Sequence, residues 1–378
     1  MPFAFVDLDL LNANSTALIQ RAGNKSIRVA SKSIRCIAIL KHILRLNTAF
    51  QGSMCYSAAE AVHLSRNGLD DLLVAYPTWN EKQVDEVCAE VAIGKTITLM
   101  VDSAEHVTRL NSIAAKHNVI LMVCLDVDLS MDMPGLHFGV WRSPVTSVEQ
   151  AVRVYDSMAR SSNLRLEGIM GYEAQVAGVG DKGGDLESRV VRLLKRHSIP
   201  RLRERRKAVV DALTARGAKL RIINGGGTGS LESTSQEDCV SEVTAGSGFY
   251  APTLFDQFTG FAHLPSAGFA IEIVRQPRPN IYTCAGGGYV ASGAAGKSKL
   301  PQPYLPRNSK LTKREAAGEV QTPIVYGGSE QLSLGDPIFM RHAKAGELCE
   351  HFNHLFLIAN GEIVDRVPTY RGEGCKFL

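Results

Sequence analysis

Ile222-Ile223-Asn224-Gly225-Gly226-Gly227-Thr228-Gly229-Ser230 is an apolar run that stops in a glycine-rich turn carrying two hydroxyls. Glycines let a backbone approach an anion closely and present several N–H donors as a concave nest, to which Thr228 and Ser230 can add hydroxyl bonds. The turn is read as a phosphate cradle, with a plain strand-to-helix turn as the alternative. It is not a Walker A loop, because no Gly-Lys-Ser/Thr follows. Gly225-x-Gly227 without a later glycine in register also makes a poor dinucleotide fingerprint. A second glycine turn, Ala245-Gly246-Ser247-Gly248-Phe249-Tyr250, follows a predicted strand at residues 242–244.

Upstream of these turns, apolar β-type runs at residues 27–30, 72–76, 96–101, 120–127, 166–170 and 220–224 alternate with helix-period segments at 58–66, 81–91, 104–117, 148–159 and 186–215. Strands that are apolar throughout and alternate with helices indicate a parallel sheet covered on its outer face. The expected fold is α/β, a (β/α)8 TIM-like barrel, with a doubly wound sheet as the alternative. In a barrel the last two βα loops meet at the C-terminal face, where phosphate sites recur, so one phosphate could touch both glycine turns. After residue 261 the texture changes: Gly and Pro become frequent, and β-like runs at 269–274, 281–284, 338–340 and 355–358 lie between turn signals. The expected organisation is a barrel over residues 1–261 and a smaller all-β domain over 262–378, with loops at 291–299 and 301–306.

A chain of 378 residues, 45% hydrophobic, can bury a large core. Its net charge of +4 comes from 42 basic and 38 acidic residues of mixed sign along the sequence. The densest basic stretch, Arg201-Leu202-Arg203-Glu204-Arg205-Arg206-Lys207, includes an acid and no aromatics, so a solvated helix face is expected rather than a nucleic-acid surface. No apolar run approaches the ~20 residues of a membrane span. Met1-Pro2-Phe3-Ala4-Phe5-Val6-Asp7 lacks a basic leader, and the eight cysteines are scattered without a CxxC pair. A soluble, cytoplasmic protein with reduced thiols is expected.

Lys32 sits where a short apolar run breaks into small polar residues, Arg28-Val29-Ala30-Ser31-Lys32-Ser33. A lysine at such a strand end can point into a barrel mouth. With its pKa lowered by burial it could form a Schiff base with a carbonyl or with pyridoxal phosphate (PLP). A phosphate held by the two glycine turns, with a lysine rising from the first strand across the mouth, is the layout a PLP enzyme needs.

These residues carry a specific resemblance. The chain resembles the fold-type III PLP enzymes, the alanine racemase-like barrels, and most closely their D-serine dehydratase and D-threonine aldolase branch. Val6-Asp7-Leu8-Asp9, the Lys32 strand, Glu60-Ala61, residues 70–76, Gly171-Tyr172-Glu173, residues 225–230 and Gly246-Ser247 with Tyr250 follow that branch's order. The resemblance implies that Lys32 forms the Schiff base, that Gly227, Thr228, Gly229, Gly246 and Ser247 hold the phosphate, and that Tyr172 and Tyr250 line the cofactor pocket. Two departures stand out. Where the family has an acidic residue followed by Arg-x-Gly, this chain has Asp126-Val127-Asp128 and then His137-Phe138-Gly139, so that either Arg142 substitutes for the arginine or a pocket contact is lost. Where the branch binds a divalent metal through His-x-Cys or His-x-Asp, this chain has His342-Ala343-Lys344, and a protonated lysine cannot coordinate. A metal is therefore not expected unless His342, His351 and His354 with nearby glutamates supply it.

The resemblance implies a lyase acting on D-β-hydroxy amino acids, by retro-aldol cleavage or by dehydration and deamination. In this chain His342 and the Lys344 ammonium would assist at the β-oxygen in place of the metal. An amino-acid racemase and a non-catalytic PLP-binding protein are the alternatives. The small-molecule partner is an amino acid, and the family's habit of pairing subunits makes a homodimer the expected state.

Overall fold

Five helices begin on a side chain that caps them. Ser57, Asn80, Ser103, Ser147 and Asp185 each accept a bond from a backbone N–H one turn into Ala58–Arg66, Glu81–Ala92, Ala104–Lys116, Val148–Ala159 and Leu186–Ala215. Ser147 and Gln150 complete a reciprocal capping box. Each such cap is worth about 1 kcal/mol and fixes where the chain leaves a loop and enters a helix. The helix segments read from the sequence match these elements to within a residue or so.

A computed structural model describes all 378 residues. The chain divides into two units. One comprises Leu18–Lys32, Lys41–Gly246 and Phe377–Leu378; the other comprises Met1–Ala17, Ser33–Leu40 and Ser247–Lys376. The first holds a closed eight-stranded barrel in the order Ile222–Gly225, Glu242–Ala245, Ser26–Ala30, Phe50–Cys55, Leu72–Pro77, Ile97–Val101, Leu121–Asp126 and Leu164–Gly171. Every pairing in it is parallel. All strand C-termini therefore share one rim, the face where barrel sites are built. The doubly wound alternative is excluded by closure of the sheet.

The strand Phe50–Cys55 was not legible in the sequence, because Phe-Gln-Gly-Ser-Met-Cys has no apolar run. Its Gly52 has φ +61°, and a Cβ there would fall 2.4 Å from the Arg28 guanidinium. Arg28 is wholly buried and donates to Glu242 at 2.6 and 2.9 Å and to the Asp71 carbonyl at 2.7 Å. This strand gives up side chains to make room for a buried ion pair. Above it, Leu73, Ala75, Met100, Cys124, Met170 and Ile222 form an apolar cluster.

The other unit is built on a nine-stranded sheet. Its main path runs Ser309–Leu311, Gln321–Tyr326, Ile281–Ala285, Ala267–Arg278, Phe3–Asp7, His354–Ala359 and Glu362–Pro368. Phe3–Asp7 pairs parallel with His354–Ala359, and the other pairings are antiparallel. The β texture read after residue 261 is borne out in kind. The expected loop at 301–306 instead contains a strand, Gln302–Leu305, because pairing to Pro337–Arg341 supplies the order that the three prolines of this stretch hide. No helix is long and apolar enough to cross a membrane.

Candidate active site

Four rim positions of the barrel carry polar chemistry. Lys32 lies in the 3-10 turn Ser31–Ser33 that follows the Ser26–Ala30 strand. Its side chain is exposed, correcting the expectation of burial, while Ser31 and Ser33 on either side of it are buried. Tyr76 lies at the end of Leu72–Pro77, Asp126 ends Leu121–Asp126, and Tyr172 follows Leu164–Gly171.

Arg142 draws these ends together. Its Nε donates to Asp126 Oδ2 at 2.8 Å and one Nη donates to the Ala75 carbonyl at 2.5 Å. The guanidinium lies 4.8 Å over the Tyr76 ring and 5.9 Å from that of Tyr172. Arg142 itself lies in the loop that follows Leu136–Phe138. His137 pairs instead with Asp132 at 2.7 Å and stacks on Trp141.

The charges tune one another. Burial raises the Asp126 carboxyl to about 6; Arg142 pulls against that, while Asp102 and Asp128 add to it. The positive charge of Lys32, followed by that of Arg142, holds the Tyr76 phenol below its usual range, against the opposing effects of burial and Asp126. Burial pushes Tyr172 up to about 12, with Glu173 and Tyr76 adding to the shift. The rim thus holds a phenol biased toward losing its proton beside one that keeps it. Tyr76 was not singled out in the sequence; its place at a strand end matching that of Lys32 was the available signal.

The glycine turn leaves the same rim. Gly226 has φ +84°, a conformation that disfavours any side chain. A Cβ on Gly227 would fall 2.9 Å from Ala177 Cβ and 3.2 Å from Tyr172 Cε2. The N–H of Gly227 donates to Ser230 Oγ at 3.1 Å, so what Gly227 lends the turn is close approach. Thr228 is buried and its carbonyl accepts from Arg21 at 2.6 Å. The strand order places the Glu242–Ala245 strand, which ends at Gly246, between the turn and the Lys32 strand. At ordinary strand spacing the turn and the lysine strand are roughly 10 Å apart. Amine, glycine nest, close-approach glycine and flanking phenols fit a ligand with a carbonyl at one end and a phosphate at the other.

Arg206 corrects the reading of the basic stretch. It is 1% exposed and pairs with Glu173 at 2.8 Å and with Glu237, while Leu202 is also buried. Only one side of the Leu186–Ala215 helix is the solvated face expected of residues 201–207.

The remaining sequence candidates lie in the second unit. Ser247 shares a 3.3 Å hydroxyl contact with Ser33. Tyr250 is fully buried, and its hydroxyl donates to the Ile34 carbonyl at 3.1 Å. His342 is 4% exposed, and burial, then Arg341, pushes its pKa down to about 3, so the imidazole is neutral. Lys344 Nζ donates to the Ser292 carbonyl and hydroxyl at 3.4 and 3.3 Å, and Glu347 accepts from the Ser292 N–H at 3.0 Å. His351 stacks on Tyr289 at 4.5 Å, and His354 faces Arg366 at 3.1 Å.

The family model for the alanine racemase N-terminal domain matches residues 6–253. The chain belongs to this family. Among curated proteins, this alanine racemase-type chain is similar to a 3-hydroxy-D-aspartate aldolase of Paracoccus denitrificans (strain Pd 1222), 25% identical over 252 residues, covering 65% of this chain and 59% of that protein. A second, from Paracoccus denitrificans, is 26% identical over 249 residues with the same coverage. The match thus spans less than two thirds of the relatives' length. Among solved structures, D-threonine aldolase from Filomicrobium marinum superposes with a TM-score of 0.82 at 16% identity, covering 100% of this chain and 96% of that one. D-threo-3-hydroxyaspartate dehydratase from Delftia sp. HT23 gives 0.79 at 16%, covering 98% and 97%. At these identities the likeness establishes the fold: an alanine racemase-type barrel with a β-rich unit.

Proposed function

We propose that the protein is a PLP-dependent lyase acting on D-β-hydroxy amino acids. The observation that carries the reading is the sharing of one barrel rim by Lys32 and the glycine turn, two strands apart, in a chain whose matched relatives are named as aldolases. Bound there, PLP would supply an electron sink for the charge left at Cα when a bond to it breaks.

The chain's own residues divide the remaining work. Lys32 is the amine that would hold the cofactor through its carbonyl carbon. The turn at Gly227, Thr228 and Gly229 would take the phosphate, Gly227 by close approach and Gly229 through an N–H that meets no acceptor in the chain. Arg142, fixed by Asp126 and the Ala75 carbonyl, presents a cation to the pocket and holds the Tyr76 ring. Tyr76, whose phenol Lys32 and Arg142 hold below its usual range, would be the proton carrier: it would take the proton of the substrate β-hydroxyl as the Cα–Cβ bond breaks with release of an aldehyde, and return that same proton to Cα to leave glycine. Tyr172 keeps its proton and serves as a neutral wall. All eight cysteines are free, which supports a reducing cytoplasmic setting; a homodimer is the assembly to test by sedimentation.

The test is a panel of D- and L-threonine, serine, alanine and 3-hydroxyaspartate assayed for aldehyde plus glycine, for keto acid plus ammonia, and for the opposite enantiomer. Cleavage or deamination confined to D-β-hydroxy substrates is the expected result. Interconversion of alanine enantiomers without either product would replace the reading with a racemase, and PLP binding with no turnover of any substrate would replace it with a carrier.

A further inference from the structure

The phosphate turn is braced from inside the barrel unit by residues that have no place in the chemistry above. Glu173 is 3% exposed and its carboxylate accepts three bonds. Ser230 Oγ donates to Oε1 at 2.8 Å, Thr234 Oγ1 donates to the same oxygen, and Arg206 Nη2 donates to Oε2 at 2.8 Å. The hydroxyl of Ser230 is thereby oriented to accept the N–H of Gly227. The Ser230 N–H also closes on the Gly227 carbonyl at 2.9 Å.

The arrangement sorts the turn's donors. The Gly227 N–H is turned inward to Ser230, while that of Gly229 meets no acceptor in the chain. Arg206 comes so close that a Cβ on Gly225 would lie 2.8 Å from it, so a glycine at the strand end is what admits the brace. Burial opposes the charge of Arg206, but Glu173 and Glu237 more than offset that and keep it protonated. Arg21, on the turn's other side, pairs with Glu232 while bonding the Thr228 carbonyl. Both arginines are therefore committed to carboxylates, and what the turn offers an anion is a backbone N–H left uncommitted, that of Gly229, whose strength as a donor depends steeply on direction.

We infer that Glu173 is the positioning residue of the phosphate turn, holding Ser230 and Thr234 so that the Gly225–Ser230 backbone is set for a phosphate before the ligand arrives. This rests on the PLP reading above. Glutamine cannot replace it, because an amide has one acceptor oxygen and three donors converge on the carboxylate.

The test compares PLP with pyridoxal, which has the same ring and carbonyl but no phosphate. Wild type, Glu173→Gln, Thr234→Val and Ser230→Ala are each titrated with both compounds by visible absorbance, alongside thermal unfolding of the unliganded proteins. PLP affinity should fall about tenfold in each variant, the scale of one charge-assisted hydrogen bond. Pyridoxal affinity should stay level, so that the ratio between the two collapses. Equal weakening of both compounds, or of neither, overturns the inference, since a merely structural role has no reason to single out the phosphate. Should Glu173→Gln fail to fold, the two hydroxyl variants decide. A wild type that binds PLP no better than pyridoxal refutes the phosphate assignment itself, a different outcome from an unchanged ratio in the variants.

Discussion

Replacing Gly227 with alanine adds one carbon where the glycine turn lies against Ala177 and Tyr172. That carbon would sit 2.9 Å from Ala177 Cβ and 3.2 Å from Tyr172 Cε2, whereas unstrained carbons stay about 3.5–4.0 Å apart. The turn must therefore retreat by several tenths of an ångström, carrying Thr228 and Gly229 with it. Overpacking on this scale costs about 1–3 kcal/mol. Where the strain is relieved by displacing the turn, the cost falls on phosphate binding and predicts about a five- to 150-fold rise in the PLP dissociation constant. The assay is PLP titration of Gly227→Ala, Ala177→Gly and the double variant, with thermal unfolding of each apoprotein as the stability control. Ala177→Gly removes the nearer obstruction and should restore a substantial part of the lost affinity, Tyr172 accounting for the remainder. Unchanged PLP affinity in Gly227→Ala, or no recovery in the double variant, would refute the argument that the backbone of this turn must lie against Ala177 and Tyr172.

Three further outcomes are expected. Borohydride treatment of the PLP-loaded protein should fix the cofactor on Lys32, and Lys32→Ala should abolish turnover while retaining phosphate-held PLP; peptide mapping that finds the adduct on another lysine overturns the assignment. The Asp126 carboxyl, raised by burial to about 6 from an ordinary 3.8, is easier to keep protonated in the folded state, so its contribution is fully present below about pH 4 and lost as pH rises through 6. The unfolding free energy of wild type relative to Asp126→Asn should accordingly fall by about 3 kcal/mol across that window, and a flat difference in urea titrations would contradict it. Activity should survive EDTA and dialysis, because Lys344 occupies the second ligand position and is held by Ser292; stoichiometric zinc or manganese whose removal reversibly inactivates the enzyme would instead point to His351 and His354.

The alternation of apolar runs with helix-period segments was enough to read a parallel barrel, because strands buried on both faces are apolar throughout while the helices that cover them repeat their apolar residues at helical spacing. The glycine turn was equally legible, since few other sequences follow a strand with four glycines in five positions. What stayed hidden depends on partners distant in sequence. Phe50–Cys55 has no intrinsic strand pattern and is ordered by its neighbours and by the space Gly52 leaves for Arg28. Arg206 looks like any other residue of a basic helix, and only the approach of Glu173 and Glu237 makes it a buried anchor. Tyr76 has an ordinary local sequence, and its lowered pKa arises from Lys32 and Arg142 arriving on other loops. Sequence periodicity determines which residues face inward, because it is set by backbone geometry residue by residue. Which charges meet, and therefore which groups hold a proton, was decided only by closure of the barrel, because electrostatic tuning depends on distances that exist only after folding.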